Sequence, residues 1–353
     1  MGKHSTMLLY HCMDNIIKNL YQPNGYLNME EIIHTDIPFI FIPAARGTGK
    51  TFNALATYTE DREEIILLRR TQKEVNLQND RRGTGSSFCE VFRFLGKEFH
   101  VIKSGDIGMV INDTDNYTAA TNVALNTFAS VRGSFNYQHI KRVFYDEFIA
   151  ETHVRRMKNE GMALANFYES VSRNRELSGE KPLQLVCAAN AVNIANDTFL
   201  YFNLVTAAEE MISNMEEVRL IGNKLLIIPQ KSPISEKKAK TALYQAVDQE
   251  FTEMAIKNKF VLNDFSYVHK RSLKEYYCLF NVGDLYIYHH KSRSEYYVTF
   301  TRGQTAERYQ ANYSGLEKMR RDKYRYVGYY LDGMIRFENY RSIALFERYF
   351  NII

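Results

Sequence analysis

Residues Phe39-Ile40-Phe41-Ile42-Pro43-Ala44 form an apolar run that enters Ala45-Arg46-Gly47-Thr48-Gly49-Lys50-Thr51, a glycine-containing turn ending in Gly-Lys-Thr. The helix-compatible segment Phe52-Asn53-Ala54-Leu55-Ala56-Thr57 follows directly. An apolar strand, a glycine turn and a helix in that order constrain the chain to an α/β fold with a phosphate-binding loop, a mainly parallel sheet sandwiched by helices. Such a loop turns successive backbone N–H groups toward phosphates, while its Lys reaches the terminal phosphates and its Thr hydroxyl helps hold Mg²⁺. Arg46, Gly47, Thr48, Gly49, Lys50 and Thr51 are therefore the expected ATP ligands, with Arg46 close enough to meet the γ-phosphate in cis. Ala44 stands where the motif has glycine, which is harmless if its backbone torsions are ordinary.

A second element adds hydrolysis to binding. Arg142-Val143-Phe144-Tyr145-Asp146-Glu147 is an apolar β-type run that closes on two acids. In a parallel strand buried on both faces, acids are tolerated only at the carboxyl end, where ligands lie. Asp146 is expected to hold the Mg²⁺ water shell, together with Thr51, and Glu147 to orient the attacking water. An acid that activates water argues against a small-molecule kinase. A third run, Leu183 to Asn190, ends in an amide placed to touch the γ-phosphate or the lytic water, although an Asn there also serves as a plain turn former.

Phosphoryl transfer gains from an arginine that neutralises transition-state charge, often supplied by a neighbouring subunit. Arg173 and Arg175, which end the helical stretch from Glu160 to Glu176, are candidates, as is Arg132 between Ser130 and Ser134. Each also reads, taken singly, as an ordinary solvated surface arginine.

The 353 residues suffice for two domains, and 45% hydrophobic with 24% charged content is that of a soluble globular protein. No apolar run is long enough to span a membrane and no signal peptide is visible, so a cytosolic location is expected. Cys12, Cys89, Cys187 and Cys278 are far apart and predict reduced thiols, without zinc or disulfides. His269, His289 and His290 lack companion ligands at metal spacing. The net charge of +4 is uneven: from Lys231 onward 21 Lys and Arg face 14 Asp and Glu, a balance of +7. Sixteen of the 25 tyrosines share that stretch, a mixture suited to nucleic-acid phosphates but also to a Tyr-rich sheet.

Along the chain, Thr6 to Leu20 has helical spacing, Glu64 to Leu68 reads as a strand ending in Arg69-Arg70, and Ser87 to Leu95 as a helix. His100 to Ile111 and Asn122 to Ala129 read as further strands. The strand pattern fades after Asn190. The expected division is a motor domain over 1–205, a linker over 206–235 and a C-terminal domain over 236–353. The last opens on one long helix from Ser235 to Lys259 and continues in a β-meander from Glu275 to Thr301.

Ala44 to Thr51, the strand ending Arg69-Arg70-Thr71, Val143 to Glu147 and the strand ending at Asn190 together resemble phage terminase-type motors. In size and layout the chain is most similar to the small DNA-packaging ATPases of short-tailed phages. That resemblance implies a phosphate-loop ATPase of the ASCE or RecA/FtsK-like type, using ATP and Mg²⁺. It further implies a homo-oligomeric ring, commonly a pentamer, docked at the portal of a prohead in the host cytoplasm and driving double-stranded DNA inward. In the nearest relatives it also implies a structural packaging RNA. The meander resembles the opening strands of the RNase H-like nuclease of larger terminases. Tyr276-Tyr277-Cys278-Leu279-Phe280 offers no carboxylate for two metal ions, so a vestigial, cleavage-incompetent domain is expected. A helicase-type DNA pump and a phosphate-loop regulator without DNA remain alternatives.

Overall fold

The computed structural model describes residues 13–80, 85–131, 133, 137–150, 157–190, 193–230, 232–246 and 268–352. Two compact units emerge, Met1–Val192 with Met211–Phe260, and Asn193–Glu210 with Val261–Ile353.

The first unit is organised by β1 (Phe39–Ala44), β2 (Ile65–Arg69), β3 (Phe99–Ser104), β4 (Ile107–Asn112), β5 (Tyr117–Ala124), β6 (Arg142–Asp146), β7 (Gln184–Asn190), β8 (Val218–Ile221) and β9 (Lys224–Ile227). They form one sheet in the order β3-β4-β5-β2-β6-β7-β1-β9-β8. The six strands from β5 to β9 in that order run parallel. Antiparallel partners finish both edges. Ile65–Leu68, Val143–Tyr145 and Leu185–Ala189 are buried throughout, because helices cover both faces of the central strands. This is why those segments read as unbroken apolar runs rather than alternating ones. Parallel strands present all their carboxyl ends at one edge, so the loop after β1, Arg69, the acids after β6 and Asn190 after β7 are brought together there.

Arg69 ends β2, and Arg70 follows directly after it with a different partner. Arg70 is buried and makes a bidentate pair with Glu160 of the helix Glu160–Ser172, at 2.9 and 3.1 Å. The Tyr145 hydroxyl donates to the same carboxylate at 2.5 Å. Two strands and a helix are thereby tied by one desolvated ion pair. Removing one partner leaves a buried charge uncompensated, so Arg70→Met or Glu160→Gln should each cost about 3–5 kcal/mol. Thermal unfolding should show each single variant falling by roughly 10 °C. The Arg70→Met/Glu160→Gln double variant should lose less than the two singles combined, and strict additivity would count against this coupling.

Several boundaries differ from the sequence reading. The strand expected over 122–129 ends at Ala124, where the chain turns into the helix Phe128–Val131. The segment read as a linker over 206–235 contains the helix Val205–Ser213 and the β8–β9 hairpin, which joins the sheet beside β1. Four-residue strands are too short to show a period, and Gly222-Asn223 at the turn is their only clear signal. The compact units accordingly depart from the boundaries at 205 and 235, since 211–260 belongs with the first unit and 193–210 with the second. The single helix read from 235 to 259 is interrupted: Pro233–Lys238 and Ala242–Ala246 are separate helices. Its continuation from 247, and the start of the helix read from Thr6, lie outside the described residues, while 13–18 are helical.

The second unit contains the expected meander as β10 (Tyr276–Val282), β11 (Leu285–His290) and β12 (Tyr296–Thr299). β13 (Glu307–Tyr309) pairs parallel to β10, and β14 (Ile335–Phe337) parallel to β12. The helix Tyr340–Phe350 packs over them, Phe346 and Phe350 stacking at 4.3 Å. Asn339 and Ser342 close its amino end as a capping box. None of the three meander strands carries an acid. The carboxylate of Glu338 accepts from the Thr299 hydroxyl at 2.8 Å and the Phe300 amide at 2.9 Å, which is a structural duty.

Candidate active site

Ala44 is the last residue of β1, in extended pairing with Asn190, so the glycine that the motif usually has there is not needed. Glycine is required two turns of backbone later. Gly47 and Gly49 have φ of +66° and +86°. A Cβ on Gly49 would also stand 2.8 Å from Asn53 Nδ2 and 3.0 Å from the Tyr26 ring. The loop is braced by the Thr48 hydroxyl, which donates to the Ala45 carbonyl at 3.0 Å, and by the Leu27 amide, which donates to the Thr48 carbonyl at 2.9 Å.

Lys50 opens the helix Lys50–Glu60 with its side chain folded under the loop. Its ammonium donates to the Ala44 and Ala45 carbonyls at 3.0 and 2.9 Å. Burial pushes its pKa down to about 8; the charges of Glu147 and Asp146 oppose that fall, and those of Lys238 and Arg46 add to it. The Thr51 hydroxyl donates to Asp146 Oδ1 at 3.0 Å. The other carboxylate oxygen accepts from Arg69 at 2.9 Å, and Arg69 also holds the Ser87 hydroxyl at 2.9 Å. A hydroxyl beside a single buried carboxylate suits Mg²⁺, which keeps most of its own waters. Among the described residues no group of three or more His, Cys, Asp or Glu forms an all-protein metal cage.

Glu147, one residue beyond β6, lies in left-handed backbone at φ +61°, an uncommon conformation for a residue other than glycine. Its amide donates to the Ala188 carbonyl at 2.7 Å, which holds the chain in that turn. The Asn190 amide reaches both oxygens of its carboxylate, at 3.4 and 3.5 Å. Strain at a catalytic-type acid is the pattern expected where a side chain is aimed for chemistry rather than stability. Lys50, Thr51, Asp146, Glu147 and Asn190 thus meet at one sheet edge, with β7 between the strands that carry the loop and the acids.

The arginines are placed differently. Arg175 is buried, its guanidinium donating to the Ser172 and Val171 carbonyls at 3.2 and 3.5 Å, so it is not free to cross to another subunit. It lines a groove with Thr35 and Ile37, which precede β1, and with Arg142 and Gln184, which open β6 and β7. That is the amino edge of the sheet, opposite the phosphate loop. Arg173 shares a groove with Arg175 at that edge, is exposed, and has φ +45°. It is therefore out of reach of its own loop. Arg132 lies outside the described residues. Arg46 is exposed on the loop itself.

The sequence reading missed the role of Arg69 and the contact made by Lys238. A cation ending the strand next to the acidic one was a usable signal for the first. Nothing local announces the left-handed Glu147 or the second.

Residues 18–349 match the family described as podovirus DNA encapsidation protein (Gp16). The DNA packaging proteins of Bacillus phages PZA and phi29 are each 26% identical over 263 residues, covering 71% of this chain and 69% of theirs. The fold is similar to that of the Phi-28 gp11 DNA packaging motor, with a TM-score of 0.64 at 17% identity over 94% of this chain and 99% of that one. With the family match spanning nearly the whole chain and the phosphate loop, acids and Asn190 gathered at one edge, the protein belongs to the podovirus DNA encapsidation (Gp16) family.

Proposed function

We propose that this protein is the ATPase of a genome-packaging motor, coupling ATP hydrolysis to movement of double-stranded DNA into a preformed capsid. The observation that carries this is the convergence of Lys50, the Thr51–Asp146 hydrogen bond and the Asn190–Glu147 pair at the carboxyl edge of the sheet, in a chain of a DNA-encapsidation family. Loop amides and Lys50 bind and orient the triphosphate. Thr51 and Asp146 are the residues that would hold Mg²⁺, which supplies charge neutralisation at the phosphates when bound. Glu147 accepts a hydrogen bond from the attacking water and aligns it in line with the γ-phosphate. Asn190, bonded to both carboxylate oxygens, keeps Glu147 aimed and is positioned to pass its movement into β7.

In this reading the copies form a ring, commonly a pentamer, on the portal of a prohead in the host cytoplasm, with a structural RNA as a further partner. Exposed Arg173, remote from its own loop, is the residue that reaches a neighbour's site. The second unit binds nucleic acid: Tyr277, Tyr313 and Tyr324 are exposed, and Lys318 and Arg321 are exposed on the helix Tyr313–Asp322.

The test is ATPase activity of the full-length protein with and without double-stranded DNA, at several salt concentrations. DNA should raise turnover, and the stimulation should fall steeply with salt because phosphate contacts release counterions. Arg173→Ala and Glu147→Gln should each be inactive alone and partly active when mixed, since a mixed interface pairs an intact Glu147 with an intact Arg173. Turnover indifferent to DNA would overturn the motor reading, and no recovery on mixing would remove Arg173 from the shared site.

A further inference from the structure

The helix Pro233–Lys238 is docked against the phosphate loop. Its buried Ile234 lies against Gly25, where a Cβ would stand 3.0 Å from the Ile234 amide. Lys237 donates to the Asn24 carbonyl at 3.3 Å. Lys238 donates to the carbonyl of Arg46, inside the loop. Its ammonium also covers Gly47 so closely that a Cβ there would lie 2.6 Å from Nζ. Lys50 supports the loop from beneath, through Ala44 and Ala45. Three cations, Arg46, Lys50 and Lys238, therefore converge on the backbone around Gly47.

Like charges gathered at one place carry a cost that a bound polyanion removes. Burial first, and the charge of Arg46 second, lower the proton affinity of Lys238. A carbonyl uses one of the three ammonium donors of Lys238, and its four-carbon stem lets the head move to a stronger, charged acceptor. Charge-assisted contacts to phosphate outweigh those to a neutral carbonyl.

We infer that Lys238 is a second phosphate-contacting lysine, supplied from outside the loop, which closes over the terminal phosphates of ATP opposite Lys50. This rests on the phosphate-loop reading proposed above. It also gives the helix Pro233–Lys238 a task in the cycle: it stays clamped to the loop while the triphosphate is held there.

The full-length protein is titrated with ATPγS by calorimetry as wild type, Lys238→Ala, Lys238→Arg, Lys237→Ala and Lys50→Ala. Lys238→Ala should bind about tenfold more weakly, as for loss of one charged hydrogen bond, while melting like wild type. Lys238→Arg should keep most of the affinity, and Lys237→Ala all of it. In wild type, ATPγS should slow tryptic cleavage after Lys238, and in Lys50→Ala it should not. Lys238→Ala binding as tightly as wild type, with Lys50→Ala impaired, would overturn this inference alone. Unimpaired binding by Lys50→Ala would instead overturn the phosphate-loop reading and this inference with it.

Discussion

Glu147→Gln should bind ATP as wild type does and hydrolyse it about 10²- to 10⁴-fold more slowly, the loss expected when a group that accepts a proton or aligns water is neutralised. The substitution is nearly isosteric, and its carbonyl oxygen still accepts from Asn190, so the geometry at the end of β7 is kept. What is lost is the negative charge that polarises the water. Affinity should be spared, because the proposed role of Glu147 is toward the water and the phosphate binders around Lys50 stay in place. The left-handed turn at φ +61° should persist, because it depends on the backbone bond to Ala188, and folding stability should fall only by what the Glu147 charge contributes to the buried Lys50 ammonium. Single-turnover hydrolysis alongside equilibrium binding decides the matter. A variant that turns over at the wild-type rate would exclude Glu147 from catalysis and leave the buried Asp146 as the sole acid of the site.

Lys50→Met should lose nucleotide affinity by about 10- to 100-fold, because the proposed charged donor to the phosphates is removed. It should nevertheless gain folding stability relative to wild type at neutral pH. The reason is the sign of the linkage. Burial lowers the ammonium pKa from 10.5 to about 8, so below pH 8 the folded protein holds the proton at a cost the unfolded chain does not bear. Between about pH 8 and 10.5 the unfolded chain binds more protons than the folded one, and wild-type stability should rise with pH relative to Lys50→Met. Above 10.5 neither state holds the proton and the difference levels off. Affinity behaves oppositely: the charged ammonium is the binding form, so wild-type affinity for ATP should fall as pH rises above about 8, at most tenfold per unit. Chemical denaturation and ATPγS titration of both proteins from pH 7 to 10.5 provide the check. Parallel stability profiles for the two proteins would show that Lys50 titrates normally in the fold.

The amino-acid order alone made the loop, its strand and its helix legible, because Gly47 and Gly49 are dictated by local backbone geometry and Lys50-Thr51 by their order along the chain. It also determined the acidic strand and the strand ending at Asn190, since strands buried on both faces leave continuous apolar runs that stop only where ligands begin. The meander was legible for a related reason, its short strands being separated by Gly283 and by Ser- and Arg-containing turns. The β8–β9 hairpin was not legible, because four-residue strands carry no periodicity and their place beside β1 is set by a vacant sheet edge. Folding of the whole chain set the partners: Asn190 on Glu147, Arg69 on Asp146, Arg70 with Tyr145 on Glu160, and Lys238 on Arg46. It also separated Arg175, whose guanidinium is consumed by its own helix end, from the exposed Arg173 two residues before it. The reason is physical: local chain geometry acts over a few residues and is written in neighbouring letters, whereas ion pairs between strand ends depend on strand order, which is a property of the assembled sheet.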